Sequence, residues 1–243
     1  MSGFYGGTSG LKIAMPKRDF PPHQAHLSRL GFYARQENSI EINSSFYHLP
    51  QPKTVKRWSE EVTENFRFTF KLWKEITHRK NLIFKAEDVT RFKEAIAVPK
   101  AHRGCLLVQL PPGLQSAALP QLQELLLVLG NDWPVAVEFR HNSWYKDEVY
   151  EILFRANATM VLQDFPKTVT PVELTSDELV YLRFHGPSGN YKGSYTEYFL
   201  YEYAAYIHEW LQEGRSVYCY FNNTAGDALG NLCSLKQMVS ELS

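Results

Sequence analysis

Eight short runs of β-branched and aromatic residues, each separated from the next by a longer amphipathic stretch, constrain this chain more than any other feature. They are Phe4 to Ser9, Ser39 to Asn43, Phe66 to Leu72, Cys105 to Gln109, Val135 to Arg140, Thr159 to Asp164, Val180 to His185 and Val217 to Asn222. Strand-like runs alternating with helix-like segments build βα units and a parallel sheet. Eight units predict closure into an α/β fold, a single TIM-like (β/α)8 barrel, and 243 residues is close to the length such a barrel needs. Apolar residues near helical spacing over Val55 to Val62, Ala86 to Ala97, Leu119 to Leu129 and Tyr198 to Leu211 supply the outer layer. Between the sixth and seventh runs Pro166 and Pro171 leave little room for a helix before Leu179, which predicts an irregular crossover. No linker, low-complexity run or repeat interrupts residues 1–243, so one domain is expected.

Side chains alternate between the two faces of a strand, so each run divides into a helix-facing and a barrel-facing set. In the second run Ile40 and Ile42 oppose Glu41 and Asn43, and in the third Phe68, Phe70 and Leu72 oppose Thr69 and Lys71. The fifth sets Val135, Val137 and Phe139 against Ala136, Glu138 and Arg140, and the seventh sets Leu182 and Phe184 against Tyr181, Arg183 and His185. The fourth places Gln109 inward beside Leu107, the sixth Asp164 beside Leu162, and the eighth Asn222 beside Tyr218 and Tyr220. Barrel enzymes collect reacting groups from the C-terminal ends of several strands, so this pattern predicts a ligand site there.

Composition narrows the partners. Lys+Arg and Asp+Glu are 26 each, so no overall field gathers polyanions, and a nucleic-acid partner would need a local basic patch. Three cysteines without a CxxC pair suggest neither a disulfide framework nor a zinc ribbon, and a reducing cytoplasm is expected. Met1 to Gly7 lacks the basic and apolar segments of a secretory signal and reads as mature protein. The apolar stretch Leu122 to Leu129 is too short for a bilayer, so no membrane partner is expected. The 14% aromatic content is assigned first to core packing.

Several segments resemble the DUF72 (YecE-like) family in order and spacing. They are Gly7-Thr8-Ser9-Gly10, Glu41-Ile42-Asn43-Ser44-Ser45-Phe46-Tyr47, Ile76-Thr77-His78, Gln109-Leu110-Pro111-Pro112, Glu138-Phe139-Arg140-His141-Asn142-Ser143-Trp144, Arg183-Phe184-His185-Gly186 and Tyr220-Phe221-Asn222-Asn223. The resemblance spans nearly the whole chain and implies a TIM-like barrel with no settled biochemical activity. The first loop departs from it, because Leu11 follows Gly10 where the family commonly has an aromatic residue, and Phe20-Pro21-Pro22 arrives early. An aromatic lid from that loop is therefore not expected.

The inward charges are Glu41, Glu138 and Asp164 against Lys71, Arg140 and Arg183, with His185 added. The simplest account is that they pair with one another as a buried ion network, which is costly to desolvate. A second account is a divalent metal on Glu41, Glu138, Asp164 and His185, opposed by the three cations and by the absence of HxH or HExxH spacing. The leading account is a small anionic or polyhydroxylated substrate changed by acid–base chemistry without a redox cofactor. Glu138 and His185 are its proton-transfer candidates, with Glu41 and Asp164 orienting them. Lys71, Arg140 and Arg183 stabilise negative charge, and Asn43, Gln109, Asn222 and Asn223 fix orientation.

Thr8, Ser9 and Gly10 could cradle an anion or form a turn, and no GxGxxG or P-loop appears. An amphipathic run from Ala225, capped by Thr224 or Asn223, would present a helix N-terminus to the ring. Phe46, Tyr47, Trp73, Trp144 and Tyr145 fall in loops above the ring, where they could stack on a base or sugar, although loop packing is the first expectation. The basic residues Lys71, Lys74, His78, Arg79 and Lys80 keep a phosphodiester or nucleic-acid substrate as the second choice. A non-catalytic ligand-binding barrel is the competing class. Oligomeric state is not readable from the sequence.

Overall fold

Short β-branched runs with both faces buried can be satisfied only if helices cover one side and the strands close upon the other. A computed structural model, which describes residues 3–242, shows this arrangement. Met1 and Ser2, read above as part of a mature N-terminus, lie outside the described residues. The strands are β1 (Phe4–Thr8), β2 (Ser39–Ile42), β3 (Arg67–Lys71), β4 (Arg103–Gln109), β5 (Val135–Glu138), β6 (Ala158–Gln163), β7 (Leu179–Phe184) and β8 (Ser216–Phe221). The eight are parallel and ordered β1-β8-β7-β6-β5-β4-β3-β2. The helices are α1 (Arg29–Tyr33), α2 (Ser44–Tyr47), α3 (Pro52–Glu60), α4 (Lys74–Thr77), α5 (Ala86–Ala95), α6 (Leu119–Leu129), α7 (Asp147–Arg155), α8 (Glu197–Gln212) and α9 (Ala228–Leu242). The fold is a nearly closed TIM-like (β/α)8 barrel.

The remaining seam lies between β1 and β2. It is joined by the Ser9–Glu41 bridge, by Gly10 N–H donating to Glu41 O at 2.7 Å, and by the Asn38 amide. Asn38 accepts from Gly6 N at 2.9 Å and donates to Phe4 O at 2.7 Å. Gly7 permits this approach, since a Cβ there would sit 2.2 Å from the Ser39 carbonyl oxygen.

As the prolines predict, no helix forms between β6 and β7. The crossover instead runs back along β6, tied by threonines. Thr170 Oγ1 donates to Val161 O at 3.0 Å, and Thr175 Oγ1 accepts from Met160 N at 2.7 Å and donates to Ala158 O at 3.2 Å. Hydroxyls thus satisfy backbone groups along a segment that has no helix of its own.

Two local expectations are corrected. The sixth strand was aligned with Leu162 and Asp164 inward, but Val161 and Gln163 pair with the inward Tyr181 and Arg183, whereas Leu162 packs with the helices. Met160, Val161 and Leu162 are all buried, so hydrophobicity does not alternate here and parity cannot be read from it. The last helix begins at Ala228 rather than Ala225, after a turn, and Asp227 rather than Thr224 or Asn223 serves its first turn by accepting from Gly230 N at 3.2 Å. A carboxylate of the chain therefore meets that helix N-terminus.

Inside the barrel, Tyr5 stacks on Tyr218 at 4.7 Å, and Cys105, Leu107, Ala136, Val161, Leu179, Tyr181 and Tyr220 fill the layers around them. Tyr220 OH meets Ser39 Oγ and, at 2.7 Å, Thr69 Oγ1, while Tyr181 OH donates upward to Glu41 Oε2 at 2.6 Å. This packed, hydroxyl-satisfied interior is the base on which the charged layer rests. The cysteines are free, and among the described residues no helix is long and apolar enough to cross a membrane.

Candidate functional site

The C-terminal strand ends carry two tiers of polar groups. The lower tier is centred on Arg183, which projects inward from β7 and is 2% exposed. Its Nε and Nη2 donate to Glu41 at the end of β2, at 3.1 Å to Oε2 and 2.8 Å to Oε1, while Nη1 donates to Glu138 Oε2 of β5 at 2.9 Å. Ser9 Oγ adds a bond to Glu41 Oε1 at 2.6 Å. Arg140 follows β5 and turns back so that Nε and Nη2 both contact Glu138 Oε1. Two glutamates and two arginines therefore neutralise one another.

His185 completes this tier. Its Nε2 accepts from Arg140 Nη2 at 2.8 Å and Arg183 Nη1 at 3.1 Å, which assigns the ring proton to Nδ1. Nδ1 lies 3.4 Å from Asp164 Oδ1 but out of line for a hydrogen bond. Burial, reinforced by the two arginines and opposed by Asp164 and Glu138, pushes the imidazole below its usual range, so the ring is neutral. Asp164 is held by neutral donors, His185 N–H at 2.7 Å and Tyr195 OH. Its carboxylate thus reaches the ring although its strand parity was misassigned.

Burial raises both glutamates, but in each case the arginines outweigh it. Glu41 is held below the ordinary carboxylate range by Arg183, Ser9 and Tyr181, and Glu138 is held far below it by Arg140 and Arg183. Arg183 is correspondingly driven up, because Glu138 and Glu41 overcome its desolvation. Glu138 is therefore a fixed anion. A carboxylate held ionised by two guanidiniums is a weak proton acceptor. Of the residues in the metal account, Glu41, Glu138 and His185 accept from the guanidiniums, and Asp164 accepts from His185 N–H and Tyr195 OH. Among the described residues, no three His, Cys, Asp or Glu side chains converge on a point that could hold an ion.

The upper tier is partly accessible and consists of Asn43, Lys71, Gln109, Asp164 and Asn222. Lys71 ends β3 and donates from Nζ to Gln109 Oε1, at the end of neighbouring β4, at 2.7 Å. The same ammonium lies over the Phe46 ring of α2, 4.3 Å from its centroid. Among the described residues no carboxylate lies within ion-pair distance of it. Burial, with Arg183 and Arg140 adding to it against the two glutamates, lowers the Lys71 amine to about 8. Among the described residues it is the cation of the ring that no acid contacts directly. Asn43 Oδ1 lies 3.5 Å from Arg183 Nη2, and Asn222 is anchored through its N–H to Phe184 O at 2.7 Å.

Two predicted binding residues lie elsewhere. Thr8 faces the helices: its Oγ1 donates to Gly10 O at 2.8 Å and its N–H donates to Tyr33 OH of α1 at 2.8 Å. Ser9, one residue on, has the inward parity of Tyr5 and Gly7. Asn223 is buried away from the ring, where its Nδ2 donates to Gly193 O at 3.0 Å and Asn231 Oδ1 at 2.9 Å, fastening the last two βα loops together. Of the loop aromatics, Trp144 is fully buried against Phe139 with Nε1 donating to Leu114 O, Trp73 receives Arg91, and Tyr145 OH donates to Thr168 O. Tyr47 alone of the five is strongly exposed, at 57%. Phe20 stacks on Phe32 at 3.9 Å. In the basic stretch after β3, Lys71 turns inward and Arg79 pairs with Glu75 at 2.7 Å, while Lys74, His78, Arg79 and Lys80 are exposed.

Phe165 and Tyr195 join the site without a sequence signal. Phe165 lies under the Arg140 guanidinium, 4.4 Å from its centroid, and Tyr195 links Asp164 to Gly186 N–H. Both come from irregular segments, where no periodicity marks a side chain as inward. Gln163 was hidden by the parity error and spends its amide on Thr168 and Phe139 O.

The family model described as "Protein of unknown function DUF72" matches residues 5–243. The chain belongs to the DUF72 family. Among named DUF72 relatives, UPF0759 protein YecE of Escherichia coli K12 is 34% identical over 136 residues, 56% of this chain and 50% of YecE, so the match spans half of that relative's length. UPF0759 protein YunF of Bacillus subtilis 168 is 26% identical over 246 residues, covering 87% of this chain and 86% of YunF. A DUF72 crystal structure from Enterococcus faecalis V583 superposes with a TM-score of 0.82 at 21% identity, over 98% of this chain and 96% of that one. Another from Thermotoga maritima MSB8 gives 0.67 at 24% identity, over 98% and 99%. These likenesses show the barrel, and the DUF72 description carries no reaction.

Proposed function

We propose that this DUF72 barrel is a non-redox enzyme of the hydrolase, lyase or isomerase type, acting on a small anionic, hydroxyl-bearing molecule at its C-terminal mouth. The observation that carries this is the division of the ring. Its lower acids and arginines neutralise one another, whereas Lys71 stands above them without an acid partner. A desolvated cation whose direct partners are an amide oxygen and an aromatic ring costs stability, and such costs persist at sites where chemistry needs the group. The lower tier supplies a rigid field, the Lys71 amine exchanges the proton, and the Asn43, Gln109 and Asn222 amides orient hydroxyls. No redox cofactor is part of this reading. His185 is kept as a positioning residue, because its acceptor nitrogen is already used by two guanidiniums.

Thermal shift with inorganic phosphate, sulfate, sugar phosphates and small carboxylates tests the proposal. Stabilisation by one of these classes is expected in the wild type and is expected to be lost in Lys71→Gln. Stabilisation by single-stranded DNA with no response to any small anion would overturn it in favour of the nucleic-acid reading.

A further inference from the structure

The rim around Lys71 has the parts of a covalent site. We propose that Lys71 forms a Schiff base with a small anionic aldehyde or ketone, an inference that rests on the anionic-substrate reading above and names its substrate class. The amine ends β3 inside the mouth, packed on the Phe46 face and held by a single amide oxygen, that of Gln109. An amide oxygen accepts from an ammonium and, more weakly, from a neutral amine, so this partner orients Nζ while favouring its charge less than a carboxylate would. A lysine that merely captured anions would serve best fully protonated. Desolvation and the neighbouring arginines instead bring the amine to about 8, which leaves a useful neutral fraction near pH 7.5. Desolvation beside other cations is how lysine nucleophiles are activated.

The surroundings suit both partners of the reaction. Glu41 and Glu138 stay ionised and are among the charges that act on Lys71, so they stabilise an iminium formed there. Arg140, which borders the mouth above Phe165, offers positive charge to the substrate's acid group. The chemistry balances without a co-reactant. The neutral amine adds to the carbonyl carbon, the carbonyl electron pair moves onto oxygen, and the resulting carbinolamine expels that oxygen as water. The two amine hydrogens leave with it, a neutral C=N bond remains, and uptake of one proton from water at the imine nitrogen gives the iminium.

The test uses the full-length chain in two arms. In the first, pyruvate or glycolaldehyde phosphate is added with cyanoborohydride at pH 7.5 and the product is mapped by peptide mass. A saturable reduced adduct is expected on Lys71, competed by inorganic phosphate and absent from Lys71→Arg, which keeps the charge but cannot form the imine. The second arm is independent of the natural carbonyl. Reductive methylation with formaldehyde across pH 6–10 should modify Lys71 faster than the exposed Lys100 at pH 7.5, because the Lys71 amine is lowered to about 8. Methylation of Lys71 no faster than Lys100 overturns the proposal. If phosphate still stabilises the wild type in that case, the anion site stands and only the covalent step falls. Absence of stabilisation by every small anion removes the parent reading.

Discussion

Arg183→Met removes the guanidinium between Glu41 and Glu138 and replaces it with an apolar side chain of similar reach. Glu41, fully buried, would keep only the hydroxyls of Ser9 and Tyr181, while Glu138 would keep Arg140. Breaking one side of a buried pair costs about 3–5 kcal/mol, which for a chain of this size lowers Tm by roughly 6–20 °C. The loss should also depend on pH. In the wild type Glu41 lies below its unfolded value, so its stabilisation is present above the unfolded carboxylate pKa of about 4.3 and is lost only as pH falls through the lower folded value. In the variant burial is unopposed by a cation, the folded value rises above the unfolded one, and the penalty grows by up to about 1.4 kcal/mol per pH unit above that point. Urea denaturation followed by fluorescence and circular dichroism at pH 5.5 and 7.5 measures both effects. The gap from wild type should widen by about 1–3 kcal/mol at the higher pH. A gap under about 1 kcal/mol that is equal at the two pH values would refute the account of Arg183 as the keystone of the lower tier.

Gly7→Ala would place a methyl group 2.2 Å from Ser39 O at the β1–β2 seam, so the strands must separate. A loss of at least about 3 kcal/mol, or failure to accumulate soluble protein, is expected, and an unchanged urea midpoint would contradict the seam geometry. Lys71→Met is expected to raise Tm at pH 7 while abolishing the anion-induced shift, since it removes a desolvated charge. Because the folded Lys71 value lies below the unfolded one, its cost is greatest below about 8 and disappears as pH rises toward the unfolded value. The stability gained by the variant should therefore shrink between pH 7 and pH 10.

The inward identity of Glu41, Lys71, Gln109, Glu138 and Arg183 was legible because strand periodicity is two and the opposite face of each run is apolar. The same rule failed at β6, where both faces are buried and apolar. It was silent on Phe165 and Tyr195, which lie outside regular structure. Which charges meet was not legible at all. Arg183 and Glu41 are 142 positions apart, on strands brought three apart across the β1–β2 seam, so their pairing follows from closure.

Sequence alone determined the architecture, because the count of βα units and the alternation within each strand leave few ways to bury so many apolar side chains. It also marked Glu41, Lys71, Gln109, Glu138 and Arg183 as side chains of the barrel mouth. Tertiary structure decided their chemistry. Coulomb attraction depends on distance and burial, and only closure brings two arginines onto two glutamates while leaving Lys71 with an amide partner and a lowered pKa.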